Sequence, residues 1–175
     1  LPLFHAFGIV VTTFLPLIEG IKCVCHPDPT DGLGLGKLIS QYKATIMTGT
    51  STFFRLYTKN SKVHPLMFES LRLCVAGAEK LREDVRYDFK KKFGKDILEG
   101  YGTSETSPVA ACNLPDVLAP DFTIQVGNKI GTVGMAIPGT TIKIVDPLTF
   151  KELAINEEGM ILISGIQVMR GYLND

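Results

Sequence analysis

Hydrophobic positions in the first 112 residues follow two alternating spacings. Short apolar runs rich in β-branched residues predict strands, whereas longer segments with apolar residues three or four positions apart predict helices. The predicted helices lie at 7–18, 33–42, 52–57 and 81–94, and the predicted strands lie at 21–25, 44–49, 71–77 and 96–100. Because strands separated by helices usually pair in parallel, this order predicts an α/β fold whose parallel sheet is connected by crossover helices.

The segment 81–94 carries the clearest helical pattern. Its apolar stripe consists of Leu81, Val85, Phe89 and Phe93. Acidic residues occupy the first turn and lysines the last, so each charge suits the end of the helix dipole that it meets. Gly94 follows at the position where a helix commonly ends in a left-handed conformation. We therefore predict a helix with one buried face.

After Pro115 the pattern changes to a β-rich one. Residues 121–139 resemble a loop with frequent glycines, and 141–146 and 159–165 predict two strands separated by a polar turn. A segment of this length is too short to bury a core by itself. We therefore predict one domain in two parts, an α/β part at 1–115 and a β-rich part at 116–175.

The composition is typical of a soluble globular domain. Of its 175 residues 45% are hydrophobic and 21% charged, and 18 basic residues balance 18 acidic ones. These values argue against disorder and against a nucleic-acid partner bound by charge. The apolar run 7–18 contains Pro16 and is shorter than the roughly 20 residues that a membrane-crossing helix needs. Because no Met begins the chain, we expect a piece of a longer protein.

The four cysteines lack the spacing of a disulfide framework. All of them fall in apolar segments, at Cys23, Cys25, Cys74 and Cys112, which favours reduced thiols in the cytoplasm. The sequence CVCH at 23–26 also permits a metal-binding interpretation. No second pair of ligands lies nearby in the sequence, so buried core cysteines are favoured over metal ligands.

The stretch EGYGTSETSP at 99–108 carries the strongest candidate chemistry. It follows a predicted strand, and ligands of open parallel sheets bind beyond the carboxyl ends of the strands. Gly100 and Gly102 let the backbone turn sharply and approach a ligand, while Tyr101 offers a flat ring for stacking. A nucleotide site and a surface turn rich in small polar residues both fit this stretch.

Its polar residues suit a nucleotide phosphate and a divalent cation. Hydroxyls that can bind phosphate oxygens follow at Thr103, Ser104, Thr106 and Ser107. Glu105 is a hard oxygen ligand of the kind that Mg²⁺ accepts beside phosphate oxygens. The stretch VAGAEKL at 75–81 ends another predicted strand, and Gly77 and Ala78 are small enough for a ring to lie against the backbone. An ordinary loop that leads into a helix explains this second stretch equally simply.

These residues resemble the acyl-adenylate-forming superfamily, which includes acyl-CoA synthetases, luciferases and peptide synthetase adenylation domains. GYGTSE at 100–105 is similar to the family's GYGxTE signature. LPLFHAFG, GTVGMAIPG and EEGMILISGIQVMRGYLN resemble three further motifs of the family in the family's order. Within the superfamily, TGTSTFFR, VAGAEKL and ILEGYG are similar to the synthetase part of bifunctional acyl-[acyl carrier protein] synthetase/2-acylglycerophosphoethanolamine acyltransferases. The resemblance implies a fragment of an adenylate-forming N-terminal domain.

The resemblance also implies roles for individual residues. Tyr101 would stack on adenine, Gly77 and Ala78 would lie near its other face, and Glu99 would lie near the exocyclic amine. Ser104 replaces the family's usual Thr and would contact the α-phosphate, and Glu105 would hold Mg²⁺. His5 and Phe4 would border the carboxylate and thioester tunnel, although a structural histidine explains His5 as well. The nucleotide-binding set is completed by Glu79, Gly100, Gly102 and Thr103.

The implied activity is that of an ATP-dependent fatty acid ligase acting with Mg²⁺. A carboxylate would attack the α-phosphorus of ATP, and the acyl-adenylate would pass its acyl group to the thiol of acyl carrier protein. The subgroup implies phospholipid remodelling with a lysophospholipid, in the cytoplasm at the inner face of a bacterial membrane. A fatty acyl-CoA synthetase and a non-catalytic nucleotide-binding module are the alternatives. The family's phosphate loop, ribose-binding Asp and catalytic Lys are not among these residues, so this fragment alone is expected to bind nucleotide weakly and turn over nothing.

Overall fold

A five-stranded mixed sheet organises the computed structural model, which describes residues 1–174. Its parallel part consists of β1 (Ile46–Gly49), β2 (Leu73–Ala76) and β3 (Ile97–Tyr101), paired in chain order. Two short strands, β4 (Ala111–Cys112) and β7 (Met135–Ala136), continue the sheet in antiparallel orientation. The predicted α/β class with a parallel sheet is therefore confirmed.

Helices connect the parallel strands, as the sequence predicted. The connecting helices are α4 (Ser51–Lys59) and α5 (Glu83–Phe93), whereas α1 (Ala6–Ile9), α2 (Leu15–Ile18) and α3 (Gly32–Tyr42) precede the first strand. A π-helical turn at Val10–Phe14 joins α1 to α2, which makes 6–18 helical throughout. Short 3₁₀ helices lie at Pro65–Phe68 and Ser104–Thr106. Within residues 1–174, none of these helices combines the length and apolar character that crossing a bilayer requires.

A cluster of aromatic rings packs α4 and α5 against one face of the sheet. The Phe54 and Phe89 rings meet edge to face with their centroids 5.1 Å apart, and Phe68 stacks on Phe93 at 4.4 Å. The stripe predicted for 81–94 is buried along its whole length. Aromatic pairs in these geometries stabilise a core beyond the apolar area that they bury. This core fixes α5 against the sheet.

The residues after Cys112 are β-rich and mostly exposed. The two longest strands there, β8 (Thr140–Val145) and β9 (Met160–Gly165), pair along their full length as an antiparallel hairpin. A smaller hairpin joins β5 (Val117–Leu118) to β6 (Ile124–Gln125). The β-rich character predicted for this region is observed, whereas the division of the domain at 115 stays a prediction.

The structure contradicts two predictions, namely a strand at 21–25 and the burial of two cysteines. Residues 21–25 form no strand, and both Cys23 and Cys25 are exposed. An alternation of apolar residues indicates a strand only where a neighbouring strand supplies backbone hydrogen bonds, and among the described residues this segment has none. Cys74 is buried in β2, as expected, and Cys112 in β4 is partly buried.

Candidate nucleotide site

Two loops and the start of a helix lie where the parallel strands end. The register pairs Gly49 with Ala76 and Ala76 with Glu99, so the carboxyl ends of β1, β2 and β3 lie at one edge of the sheet. The loops that leave this edge contain 77–82 and 102–108, and α4 begins there directly after β1. Parallel sheets bind ligands at this edge, and the structure brings the sequence-predicted residues of β2 and β3 to it.

The loop after β3 is tightly folded around Gly102. A Cβ atom at this position would lie 1.8 Å from the carbonyl oxygen of Pro108, so only glycine fits. A Cβ at Gly100, in contrast, would make ordinary contacts at 3.5 Å and beyond. Close approach of a ligand at these two glycines stays a prediction. Gly102 accommodates the protein's own backbone, and Gly100 is an unstrained strand residue.

The rest of this loop is a 3₁₀ turn that exposes the side chains of Thr103 and Ser104 and buries Thr106. The Thr103 amide donates a hydrogen bond to Thr106 Oγ1 at 2.9 Å, and the Thr106 hydroxyl donates to the Thr103 carbonyl oxygen at 3.0 Å. Thr106 is buried, and these two hydrogen bonds fix the turn. The side chains of Thr103 and Ser104 remain exposed at its start, where they are accessible to a ligand.

Glu105 contacts a residue from the far end of the chain. The Tyr172 hydroxyl donates a short hydrogen bond to Glu105 Oε1, and the Met169 amide donates to the Glu105 carbonyl oxygen at 2.9 Å. Hydrogen bonds from Tyr172 and then from Thr103 hold the pKa of Glu105 below its ordinary value. The side chain is therefore an ionised carboxylate at neutral pH. Sequence reasoning included Tyr172 in a motif but gave it no role.

Gly77 and Ala78 follow β2 at this edge and differ in their exposure. Gly77 is buried, and a Cβ there would lie 2.9 Å from the Phe7 ring. The small residue thus makes room for Phe7 of α1. Ala78 is exposed and has a left-handed backbone with φ of 67°. The place of both residues beside an adenine ring stays a prediction.

Glu79 faces the start of α4. The Thr52 amide donates to Glu79 Oε1 at 2.5 Å. Partial burial raises the pKa of Glu79, but hydrogen bonds from Thr52 and Thr50 outweigh this effect and place the pKa below its ordinary value. A carboxylate at a helix N-terminus also interacts favourably with the helix dipole. Its partner in this structure is therefore the protein backbone, and a nucleotide contact stays a prediction.

Glu99 is part of a buried ion pair. Arg86 Nη2 of α5 donates to Glu99 Oε2 at 3.1 Å, and the Leu81 amide donates to Oε1 at 3.1 Å. Both charged side chains are 10% exposed. The carboxylate thus ties the end of β3 to α5 and to the loop before it, so the exocyclic-amine contact of Glu99 stays a prediction. Sequence reasoning missed Arg86, because nothing in the helical pattern marks it as buried.

His5 caps a helix. Its Nδ1 accepts a hydrogen bond from the Phe7 amide at 3.2 Å, which satisfies a free amide at the start of α1. The His5 side chain is exposed, and neighbouring Phe4 is 93% exposed. The structural interpretation of His5 is thus observed, and its place beside a substrate tunnel stays a prediction.

Replacing Gly102 with alanine should destabilise the domain, whereas the same change at Gly100 should not. The new Cβ of Gly102→Ala would clash with the Pro108 backbone, and overpacking of this kind costs about 1–3 kcal/mol. Urea denaturation would measure the free energy of unfolding of both variants. Equal stabilities of the two variants would contradict the close backbone contact.

The fold and this edge define a class of protein, namely α/β domains with ligand-binding loops at the carboxyl end of a parallel sheet. The AMP-binding enzyme family matches residues 1–173. The chain therefore belongs to the AMP-binding enzyme family.

Curated relatives and solved structures agree with this assignment. A long-chain-fatty-acid–CoA ligase of Haemophilus influenzae is 33% identical over 173 residues, which cover 98% of this chain and 29% of the relative. A ligase with the same name from Bacillus subtilis is 30% identical over 175 residues, or 99% of this chain and 29% of the relative. The ATP-bound structure of MatB from Rhodopseudomonas palustris has a TM-score of 0.81 and 29% identity, covering 98% of this chain and 32% of that one. The chain thus spans less than a third of the length of each.

Proposed function

We propose that this chain supplies the adenine- and phosphate-binding edge of a ligase that activates long-chain fatty acids with ATP and transfers them to coenzyme A. The names of the curated relatives support the substrate class, and the ATP-bound structural neighbour supports the nucleotide. The observation that carries the proposal is the position of the Glu105 carboxylate, four residues after Tyr101 on the loop that leaves β3.

Each loop of the edge has a part in the proposed site. Tyr101 is half-buried at the end of β3, where its ring can stack on adenine, and exposed Ala78 is proposed to lie near the other face of the adenine. Thr103 and Ser104 present hydroxyls to the phosphates. Glu99 and Arg86 do not need to touch the ligand in this scheme, because their ion pair holds the strand end that carries Tyr101. The tight turn at Gly102 then directs the chain towards Glu105.

The site fits a magnesium ion. Glu105 is a hard oxygen donor with a lowered pKa, and Mg²⁺ commonly takes one or two carboxylates together with substrate phosphates and water. When bound, the ion would offset the negative charge that builds on the phosphoryl oxygens during attack by a carboxylate. Tyr172 orients Glu105 and lowers its pKa further by donating its hydroxyl hydrogen to Oε1.

The proposed reaction has two steps. The fatty acid carboxylate attacks the α-phosphorus of ATP, which releases pyrophosphate and leaves an acyl-adenylate. A thiol then attacks the acyl carbon and releases AMP. Hydroxyls of Thr103 and Ser104 stabilise the phosphate oxygens in the first step. His5 and Phe4 are proposed to border the path of the acyl group and thiol.

Acyl carrier protein is a second candidate for the thiol. The similarity of TGTSTFFR, VAGAEKL and ILEGYG to the bifunctional synthetase/acyltransferase subgroup favours it, and with it a lysophospholipid acceptor at the inner membrane face. The curated relatives carry the CoA ligase name and favour coenzyme A. The acceptor assay below separates these candidates.

Full-length protein containing this chain should exchange labelled pyrophosphate into ATP only when a fatty acid is present. Palmitate with coenzyme A, and palmitate with holo acyl carrier protein, would then be compared as substrates for thioester formation. Coenzyme A thioester is the expected product.

Tyr101→Ala should weaken ATP binding by about 1–3 kcal/mol, measured by calorimetry, because it removes the stacking ring.

Two results would overturn the proposal. ATP binding without fatty-acid-dependent exchange would indicate a non-catalytic nucleotide-binding module. If a thioester forms with acyl carrier protein but not with coenzyme A, acyl carrier protein is the thiol acceptor. Tyr87→Ala serves as a matched control, because Tyr87 is an exposed aromatic residue of α5 outside the proposed site.

A further inference from the structure

Two thiols lie side by side on the segment between α2 and α3. The Sγ atoms of Cys23 and Cys25 are 3.9 Å apart, and both residues are exposed. The proposed site does not include either of them. The other two cysteines differ, since Cys112 is partly buried and Cys74 lies in the core, where burial raises its pKa to about 12.

The neighbourhood of this pair favours thiol chemistry over a metal centre. No group of three or more metal-ligating side chains occurs within residues 1–174. The nearby ring of His26 already has partners, since its Nδ1 lies 2.8 Å from the Asp28 carbonyl oxygen and its Nε2 lies 3.4 Å from Asp31 Oδ2. The pair thus has no third ligand directed at it by the described structure.

Cys23 also links this segment to the first helix. Its thiol donates a hydrogen bond to the Thr12 carbonyl oxygen at 3.2 Å, within the π-helical turn Val10–Phe14. Partial burial and the contact with Cys25 raise the pKa of Cys23. Because the Cys23 thiol is engaged with the Thr12 carbonyl oxygen, we assign Cys25 as the thiol that reacts first with an oxidant.

We propose that Cys23 and Cys25 form an oxidation site that closes to an intramolecular disulfide in the presence of a peroxide. The Cys25 thiolate attacks one oxygen of hydrogen peroxide, which gives a sulfenic acid and hydroxide. The Cys23 sulfur then attacks the Cys25 sulfur, forms the S–S bond and releases water. In total two thiols are oxidised, one peroxide is reduced, and two water molecules leave.

Closure would act on the proposed nucleotide edge through α1. The disulfide has no S–H group, so the hydrogen bond to the Thr12 carbonyl oxygen is lost. The helical segment 6–18 that contains Thr12 also carries Phe7, whose ring packs on Gly77 at the end of β2. Oxidation is therefore expected to weaken ATP binding, and this consequence, unlike the oxidation itself, rests on the proposed function.

Peroxide titration of the full chain in its native protein would test the oxidation site. The thiols would be alkylated after exposure, and peptides would be identified by mass spectrometry. Cys23 and Cys25 should become joined, with a loss of two hydrogen atoms, about tenfold faster than Cys74 is modified. Cys25→Ser should abolish the bridge, and Cys23→Ser should leave a sulfenic acid on Cys25 that dimedone traps. Cys74→Ser is the matched control and should oxidise like the unmodified protein.

The outcomes distinguish this proposal from the proposed function. If Cys23 and Cys25 can both still be alkylated after exposure to peroxide concentrations that oxidise Cys112, the proposed oxidation site is wrong. Stoichiometric zinc binding that depends on Cys23 and Cys25 would overturn it in favour of a metal centre. Neither measurement uses ligase activity. A disulfide that forms without changing ATP affinity would overturn only the link through α1.

Discussion

Replacing Glu105 with glutamine should slow acyl-adenylate formation by about 100- to 1,000-fold, the loss typical of removing one electrostatic group from an active site. Glutamine keeps the size of the side chain and its hydrogen-bonding oxygen but removes the charge that would hold magnesium. Pyrophosphate exchange with palmitate on the full-length protein would measure the rate. Fatty acid binding, measured separately, should change little because Glu105 is proposed to act on the phosphates and not on the fatty acid.

Two further variants make this result specific. Glu158→Gln removes an exposed carboxylate next to β9, outside the proposed site, and should leave the exchange rate unchanged. Tyr172→Phe removes the hydrogen bond that contributes most to lowering the pKa of Glu105. The Glu105 pKa should then rise. As the pH is lowered, the Tyr172→Phe variant should therefore lose activity at a higher pH than the unmodified protein does. An exchange rate for Glu105→Gln equal to that of Glu158→Gln would contradict the proposed role.

Replacing Arg86 with methionine should lower the free energy of unfolding by about 3–5 kcal/mol, because it leaves the Glu99 carboxylate buried without its partner charge. Both side chains of this pair are 10% exposed, so solvent cannot compensate. Urea denaturation of the chain would measure the change. Tyr101 follows two residues after Glu99, and ATP affinity of the full-length protein should therefore fall as well.

An exposed ion pair provides the matched control. Lys59 and Asp88 connect α4 to α5 with a nitrogen-to-oxygen distance of 2.7 Å, and Lys59 is 64% exposed. Lys59→Met should cost about 0–1 kcal/mol, the usual contribution of a solvated pair. Adding Glu99→Gln to Arg86→Met should recover part of the lost stability, because it removes the unpaired charge. Similar losses for Arg86→Met and Lys59→Met would show that burial of the Arg86 pair has no energetic consequence.

The sequence predicted those elements whose signal is local. The helix at 81–94 was predicted correctly because its stripe repeats within one element, and α5 buries that stripe against Phe54 and Phe68. The parallel strands were found because short β-branched runs alternate with helices. The strand expected at 21–25 was wrong, since strand formation requires a pairing partner that no local pattern reveals.

The sequence by itself determined the α/β class, the helices around the sheet and the membership of an adenylate-forming family, because periodicity and motif order are properties of adjacent residues. Only the tertiary structure decided that Glu99 pairs with Arg86, that Gly77 makes room for Phe7 and that Tyr172 reaches Glu105 across 67 positions. Such contacts depend on where the folded chain returns in space. Hydrogen bonds, ion pairs and backbone clearance act over a few ångströms, and distance along the sequence does not specify them.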